Sequence, residues 1–205
     1  MKNISLLLIA VIFSISSYAQ LHFGPQIGYT ASMLSLNVDD IKNEMKSNLL
    51  IGAFARIGSE YYFQPEINYL TQGSVFKWPA QDNVSPLEQN ITIKTLQVPA
   101  NVGWRALNTH LVNVRIFGGI VMDFNLDTVI ENSFETENHT KLVPDDFKSF
   151  TWQWDTGVGV DVLMFSLDIK YFGGLNNILD NIQYKNKEIT AKPNLFVVTL
   201  GWKIF

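Results

Sequence analysis

Nine charged residues sit one by one inside otherwise apolar segments: Arg56, Glu66, Arg105, Arg115, Asp123, Asp155, Asp161, Asp168 and Lys170. Five carboxylates against four cations could pass protons, line a narrow pore, or pair off and fill an interior. Breaking a buried pair costs on the order of 3–5 kcal/mol, so buried charges of both signs are expected to be paired. That favours a structural ion-pair network over a weakly conducting pore. The other chemistry-bearing residues are scattered. His22, His110 and His139 fall on an early strand, a short turn and a long loop. On the topology derived below His22 and His110 fall at the turn rim and His139 at the loop rim, and nothing places the Ser, His and acid set of a lipid-modifying enzyme at one rim. Asp39, Asp40, Asp127, Asp145 and Asp146 are loop acids without D-x-[DN]-x-[DN]-G calcium spacing. Asn138-His139-Thr140 matches N-x-[ST], a pattern common by chance. No zinc spacing and no phosphate-binding glycine loop occurs, so no catalytic residue, cofactor or metal is expected.

The elements that carry these charges repeat with a period of two, as strands do. In 150–162, Phe150, Trp152, Trp154, Thr156, Val158, Val160 and Val162 alternate with Thr151, Gln153, Asp155, Gly157, Gly159 and Asp161. The same alternation runs through 21–33 and 61–72, and with less contrast through 49–57, 95–105, 112–124, 165–173 and 194–204. That predicts eight strands, most near the ~9–11 residues that cross a bilayer at a tilt. The connections alternate long and short. Polar runs at 35–48 (with a helical turn), 73–92, 125–148 and 174–193 are long; 58–60, 106–110 and 163–164 are short. An up-and-down barrel collects the long loops at one rim and the turns at the other, as outer-membrane barrels do.

The two faces decide between lipid and water. The polar face is rich in glycine and isolated charges, which suits the narrow interior of an eight-stranded barrel. The apolar face carries Tyr29, Tyr61, Tyr69, Trp104, Trp152, Trp154, Tyr171 and Trp202 near strand ends, where rings form interfacial girdles. The fold expected is all-β: an eight-stranded antiparallel up-and-down transmembrane β-barrel. A soluble lipocalin-like barrel or β-sandwich is the competing architecture, with the apolar face inside.

Composition fits this reading. The 205 residues are 47% hydrophobic and 17% charged, too apolar for a disordered chain. A net charge of −4 gives no footprint for nucleic acid, and zero cysteines exclude disulfides and thiolate chemistry. Residues 1–19 read as a signal peptide: Lys2, an apolar core from Leu6 to Phe13, then Ser17 and Ala19 before a cut at Gln20. The barrel domain is then 20–205, exported to the outer membrane of a Gram-negative bacterium.

Several runs resemble a family. Phe63-Gln64-Pro65-Glu66-Ile67-Asn68-Tyr69, Leu96-Gln97-Val98-Pro99, Asp155-Thr156-Gly157-Val158-Gly159 and Asp168–Ile178 are similar to strands of the PorT-like, porin-family outer-membrane β-barrel proteins. Phe205 resembles the terminal aromatic such barrels present to the insertion machinery. It shares a face with Lys203, while Trp202 and Ile204 take the lipid parity. Either the last residue lies beyond the wall or the register slips by one. The resemblance implies an outer-membrane location, with membrane lipid and the barrel-insertion machinery as partners. It says little of activity. A structural or loop-mediated binding role is expected, with an extracellular or secretion-system protein as partner; a narrow porin-like channel or a secretion-system accessory barrel are the alternatives.

Overall fold

The computed structural model describes residues 20–36, 42–78, 87–109, 111–133, 142–179, 183–184, 187–188, 190 and 191–204. The signal-peptide segment, His110, His139 and Phe205 lie outside them.

Eight long strands close into one antiparallel barrel: β1 (Leu21–Leu36), β2 (Lys42–Gly58), β3 (Tyr61–Trp78), β4 (Leu87–Asn108), β5 (Val112–Ser133), β6 (Phe150–Val162), β7 (Phe165–Gly174) and β10 (Ala191–Trp202). Each pairs with its sequence neighbour, and β1 pairs with β10 to shut the sheet, Gln26 opposite Gly201 and Leu36 opposite Ala191. Closure leaves no unpaired backbone edge in hydrocarbon. Two short strands, β8 (Gln183–Tyr184) and β9 (Lys187–Glu188), form a separate hairpin inside the last connection.

Short turns hold one rim. Gly58 takes φ +130 in the β2–β3 turn, where a Cβ would stand 2.3 Å from the Tyr61 carbonyl. Leu163 takes φ 53 in the two-residue turn to β7. Both described chain ends lie at this rim: the Gln20 carbonyl accepts from Gly58 N at 3.1 Å, and Ile204 N donates to Phe23 O at 2.9 Å.

The wall alternates as a half-exposed strand must. Along β6 every second residue from Thr151 to Asp161 is buried, and those between are exposed. The exposed side is apolar: Ile27, Ile51, Ile67, Val102, Ile120, Val158, Ile169 and Val198 form its middle. From Tyr61 to Tyr69 on β3 this band is about 20 Å tall, close to an outer-membrane barrel's apolar belt.

β1 and β10 run three residues further toward the loop rim than the sequence pattern suggested, and four strands run at least six residues further. β2 begins at Lys42, inside the segment expected to be a loop with a helical turn; β3 continues to Trp78, β4 starts at Leu87 and β5 extends to Ser133. The register confirms true pairing there, with Lys77 opposite Glu88 and Glu88 opposite Ser133. β6 and β7 stop at the top of the apolar band. A four-stranded blade therefore rises on one side of the loop rim.

Candidate functional site

The lumen is filled in layers, beginning at the turn rim. Arg56 Nη1 pairs with Asp161 at 2.8 Å, Arg115 Nη2 pairs with Asp161 at 2.9 Å, and Arg115 also pairs with Asp168. Gly159 makes the last contact fit: a Cβ would stand 2.2 Å from Asp168 Oδ1 and 2.5 Å from Arg115 Nη2. Ser166 Oγ accepts from Arg115 at 2.8 Å, and Tyr62 Oη accepts from it at 3.3 Å. The Tyr62 ring lies under three guanidiniums, those of Arg56, Arg105 and Arg115, at 5.2, 5.7 and 6.0 Å. Cation–π attraction is strongest when desolvated, so the ring spreads part of the positive charge. Gly103 leaves room for that ring, since a Cβ would meet it at 2.2 Å. Lys203, just past β10, reaches Asp161 at 3.4 Å. Burial holds its ammonium below the usual lysine range; Asp161 pulls it back up and Arg56 pushes it further down.

Glu66 and Lys170 form the next layer, at 2.7 Å between Nζ and Oε2. Amides saturate the carboxylate: Gln26 donates at 2.9 Å, Gln64 at 2.8 Å and Asn68 at 3.1 Å. Gln64 also accepts from Arg56 Nε at 2.6 Å, tying this layer to the one below.

Of the nine charged residues singled out in the sequence, the structure thus brings six into ion pairs. Three stand apart. Arg105 bonds Gln20 Oε1 at 3.2 Å rather than a carboxylate. Asp123 accepts from Gln153, and neither it nor Asp155 reaches a cation within ion-pair distance among the described residues. All nine are buried on the lumen side. The eight aromatics occupy the opposite face. Tyr29, Tyr69, Trp152, Trp154 and Tyr171 stand toward the loop rim; Tyr61, Trp104 and Trp202 stand toward the turn rim. Trp154 meets Tyr171 in an edge contact, and Tyr171 packs tilted against Phe196.

Sequence reasoning missed two things in the lumen. One is the amide shell of Gln26, Gln64 and Asn68 around Glu66. The other is an apolar layer above the ion pairs, built by Leu50, Leu70, Val121, Phe172, Leu195 and Val197, with Asp155 level with it opposite Phe172 and Asp123 on its loop-rim side. Its signal was present, because each of these residues adjoins a second large apolar residue that takes the lipid face. Above it sits a second apolar cluster, where Leu34, Phe76, Ile91 and Ile93 on the inner side of the strands meet Leu142, Phe147, Ile178 and Leu179 from the connections. Phe147 makes a β-bridge to Leu179, Lys148 N donates to Ile178 O at 2.8 Å, and Leu142 contacts the Gln89 side chain. The cap closes the loop rim.

The blade's outer face is polar and cross-linked. Lys77 bonds Glu44 at 2.5 Å, Lys94 bonds Asp127 at 2.8 Å, and Lys46 bonds Asn90 at 2.9 Å as well as Thr92.

A closed eight-stranded barrel with an apolar outer band and a packed polar lumen is a small outer-membrane β-barrel protein of Gram-negative type. The chain belongs to the outer membrane protein beta-barrel domain family, whose model matches residues 16–180. No curated protein matches it. Among solved structures it is similar to Ail, the attachment invasion locus protein of Yersinia pestis, at 11% identity over 90% of this chain and 99% of that one, TM-score 0.48. OprG from Pseudomonas aeruginosa shows 11% identity over 90% and 93%, TM-score 0.49. Neisserial surface protein A shows 10% identity over 89% and 97%, TM-score 0.46. Identities this low carry no role across.

Proposed function

We propose that this chain is a non-enzymatic, non-conducting outer-membrane barrel that acts through its loop rim, binding or helping to assemble a protein outside the membrane. On this reading the signal peptide over 1–19 exports it, the barrel-insertion machinery assembles domain 20–205, and the aromatic residues anchor the wall in lipid. The charge network is structural.

The observation that supports this best is the double apolar obstruction of the lumen. Hydrophobic constrictions close pores by dewetting. Water passing the Glu66–Lys170 layer meets Leu70 and Phe172, then the cap around Phe76 and Phe147. The raised, cross-linked blade supports an outward-facing binding role, because a rigid frame presents a surface at low entropic cost. The resemblance to PorT-like barrels makes a secretion-system protein one candidate partner. Proteoliposome swelling tests the reading: the protein is expected to admit a small sugar no faster than protein-free vesicles do, and rapid swelling would overturn it.

A further inference from the structure

The β5–β6 hairpin stops pairing well before β5 ends. Its ladder closes with Phe124 opposite Phe150, and Asn125 N donates to Ser149 O at 2.8 Å. A regular hairpin would continue with 148 opposite 126 and 144 opposite 130. The chain leaves that path. Lys148 and Phe147 bond the β7–β10 connection, residues Pro144–Asp146 form a 3-10 turn, and Leu142 turns in against Gln89. On its other side β5 stays paired to β4, from Asp127 opposite Lys94 to Ser133 opposite Glu88. The 3-10 turn Pro144–Asp146 stays beside β5, but among the described residues no strand pairs with the outer backbone edge of 126–133.

We propose that this edge docks an extended, basic segment of a partner protein as an added strand. The inference rests on the binding role proposed above and names its surface and the partner's chemistry. An open strand edge is a template for pairing: its main-chain groups supply affinity and alternate side chains supply specificity. The outer face of this edge presents Asp127, Val129 and Glu131, all exposed; Asp127 already bonds Lys94 at 2.8 Å and Glu131 accepts from Asn90 at 3.3 Å, so a docked cation would use the second oxygen of each carboxylate, with Glu131, which has no ion pair among the described residues, the stronger of the two. A docked strand would match them with cation, apolar residue and cation at alternate positions. The inner face offers Thr128 and Ile130, the latter packed against the cap, so it calls for small or apolar side chains there. The acids argue against a second copy as occupant, since like charges on adjacent strands destabilise pairing.

The test uses the full barrel in nanodiscs and a labelled peptide with a Lys-Thr-Val-Thr-Lys core. Two controls accompany it, one with alternate backbone nitrogens methylated and one with Glu in place of Lys. Saturable binding of the first peptide is expected, at least about tenfold weaker for either control and for the Glu131→Lys variant. Amide exchange in 126–133 is expected to slow on binding, with heat-modifiable migration of the variant unchanged. Absent binding, equal binding of the methylated peptide, or indifference to Glu131→Lys would each overturn the proposal. Swelling of proteoliposomes from the same preparation is read separately. Rapid swelling marks failure of the sealed-barrel reading; tight vesicles with no peptide binding mark failure of the edge alone.

Discussion

Arg115 is the residue on which the lower lumen turns. It bonds Asp161, Asp168, Ser166 and Tyr62, so truncating it leaves two buried carboxylates short of a partner. Arg115→Ala is expected to lower the unfolding free energy by about 3–5 kcal/mol, read from urea titration of the detergent-held protein. Arg105→Ala removes no ion pair among the described residues and is expected to cost about 1 kcal/mol in the same titration. Equal losses would contradict the network drawn here. Gly159→Val gives a second, independent reading: its side chain would occupy the space of the Arg115–Asp168 contact, so the variant is expected to migrate as unfolded under conditions where the parent stays folded. The charged members of the lumen could be picked from the sequence because each interrupts an alternating strand. Their pairing could not. Which cation meets which carboxylate depends on barrel closure, which sets Arg56 of β2 beside Asp161 of β6 across the interior.

At the scale of elements, the membrane-crossing parts of the strands were legible and their extensions were not. The physical reason is a reversal of phase. Within lipid the apolar residues of β4 point outward, as Leu96, Val98 and Val102 do. Above the membrane the outer face meets water and the inner face meets the cap, so Ile91 and Ile93 point inward. A search for one continuous alternation stops where the phase inverts, and the remainder reads as loop. The same inversion appears on β1, where Tyr29 faces out and Leu34 in. Two predictions belong here. Phe147→Ala removes a cap side chain of a kind whose loss typically costs about 3–5 kcal/mol, and the cap is local. Proteolysis between β5 and β6 is therefore expected to speed up while the barrel's urea midpoint holds; a matching fall in the midpoint would show that cap and barrel unfold as one. Val158→Arg places a charge at the middle of the lipid face and is expected to cost about 2–4 kcal/mol in lipid vesicles. No cost there would contradict the assignment of that face.

For the whole molecule, the 47% hydrophobic content divides among three places: the outer band, the apolar layer within the lumen, and the cap above it. Alternation located the first. The second was written in consecutive apolar pairs such as Tyr171-Phe172 and Leu195-Phe196, where one ring or chain faces lipid and its neighbour faces inward; the third was written in the inverted alternation that turns Ile91 and Ile93 inward. Those inner residues separate a barrel that merely has a polar interior from one that is sealed. They tie the charge network to a structural role and leave the loop rim as the working surface. Single-channel recording in planar bilayers tests this most directly. The account predicts no steady conductance from the folded protein, and openings only after Leu70→Ser with Phe172→Ser wets the apolar layer and Phe147→Ala loosens the cap above it. Steady conductance from the unaltered protein, reduced when Arg105 or Arg115 is neutralised, would contradict it.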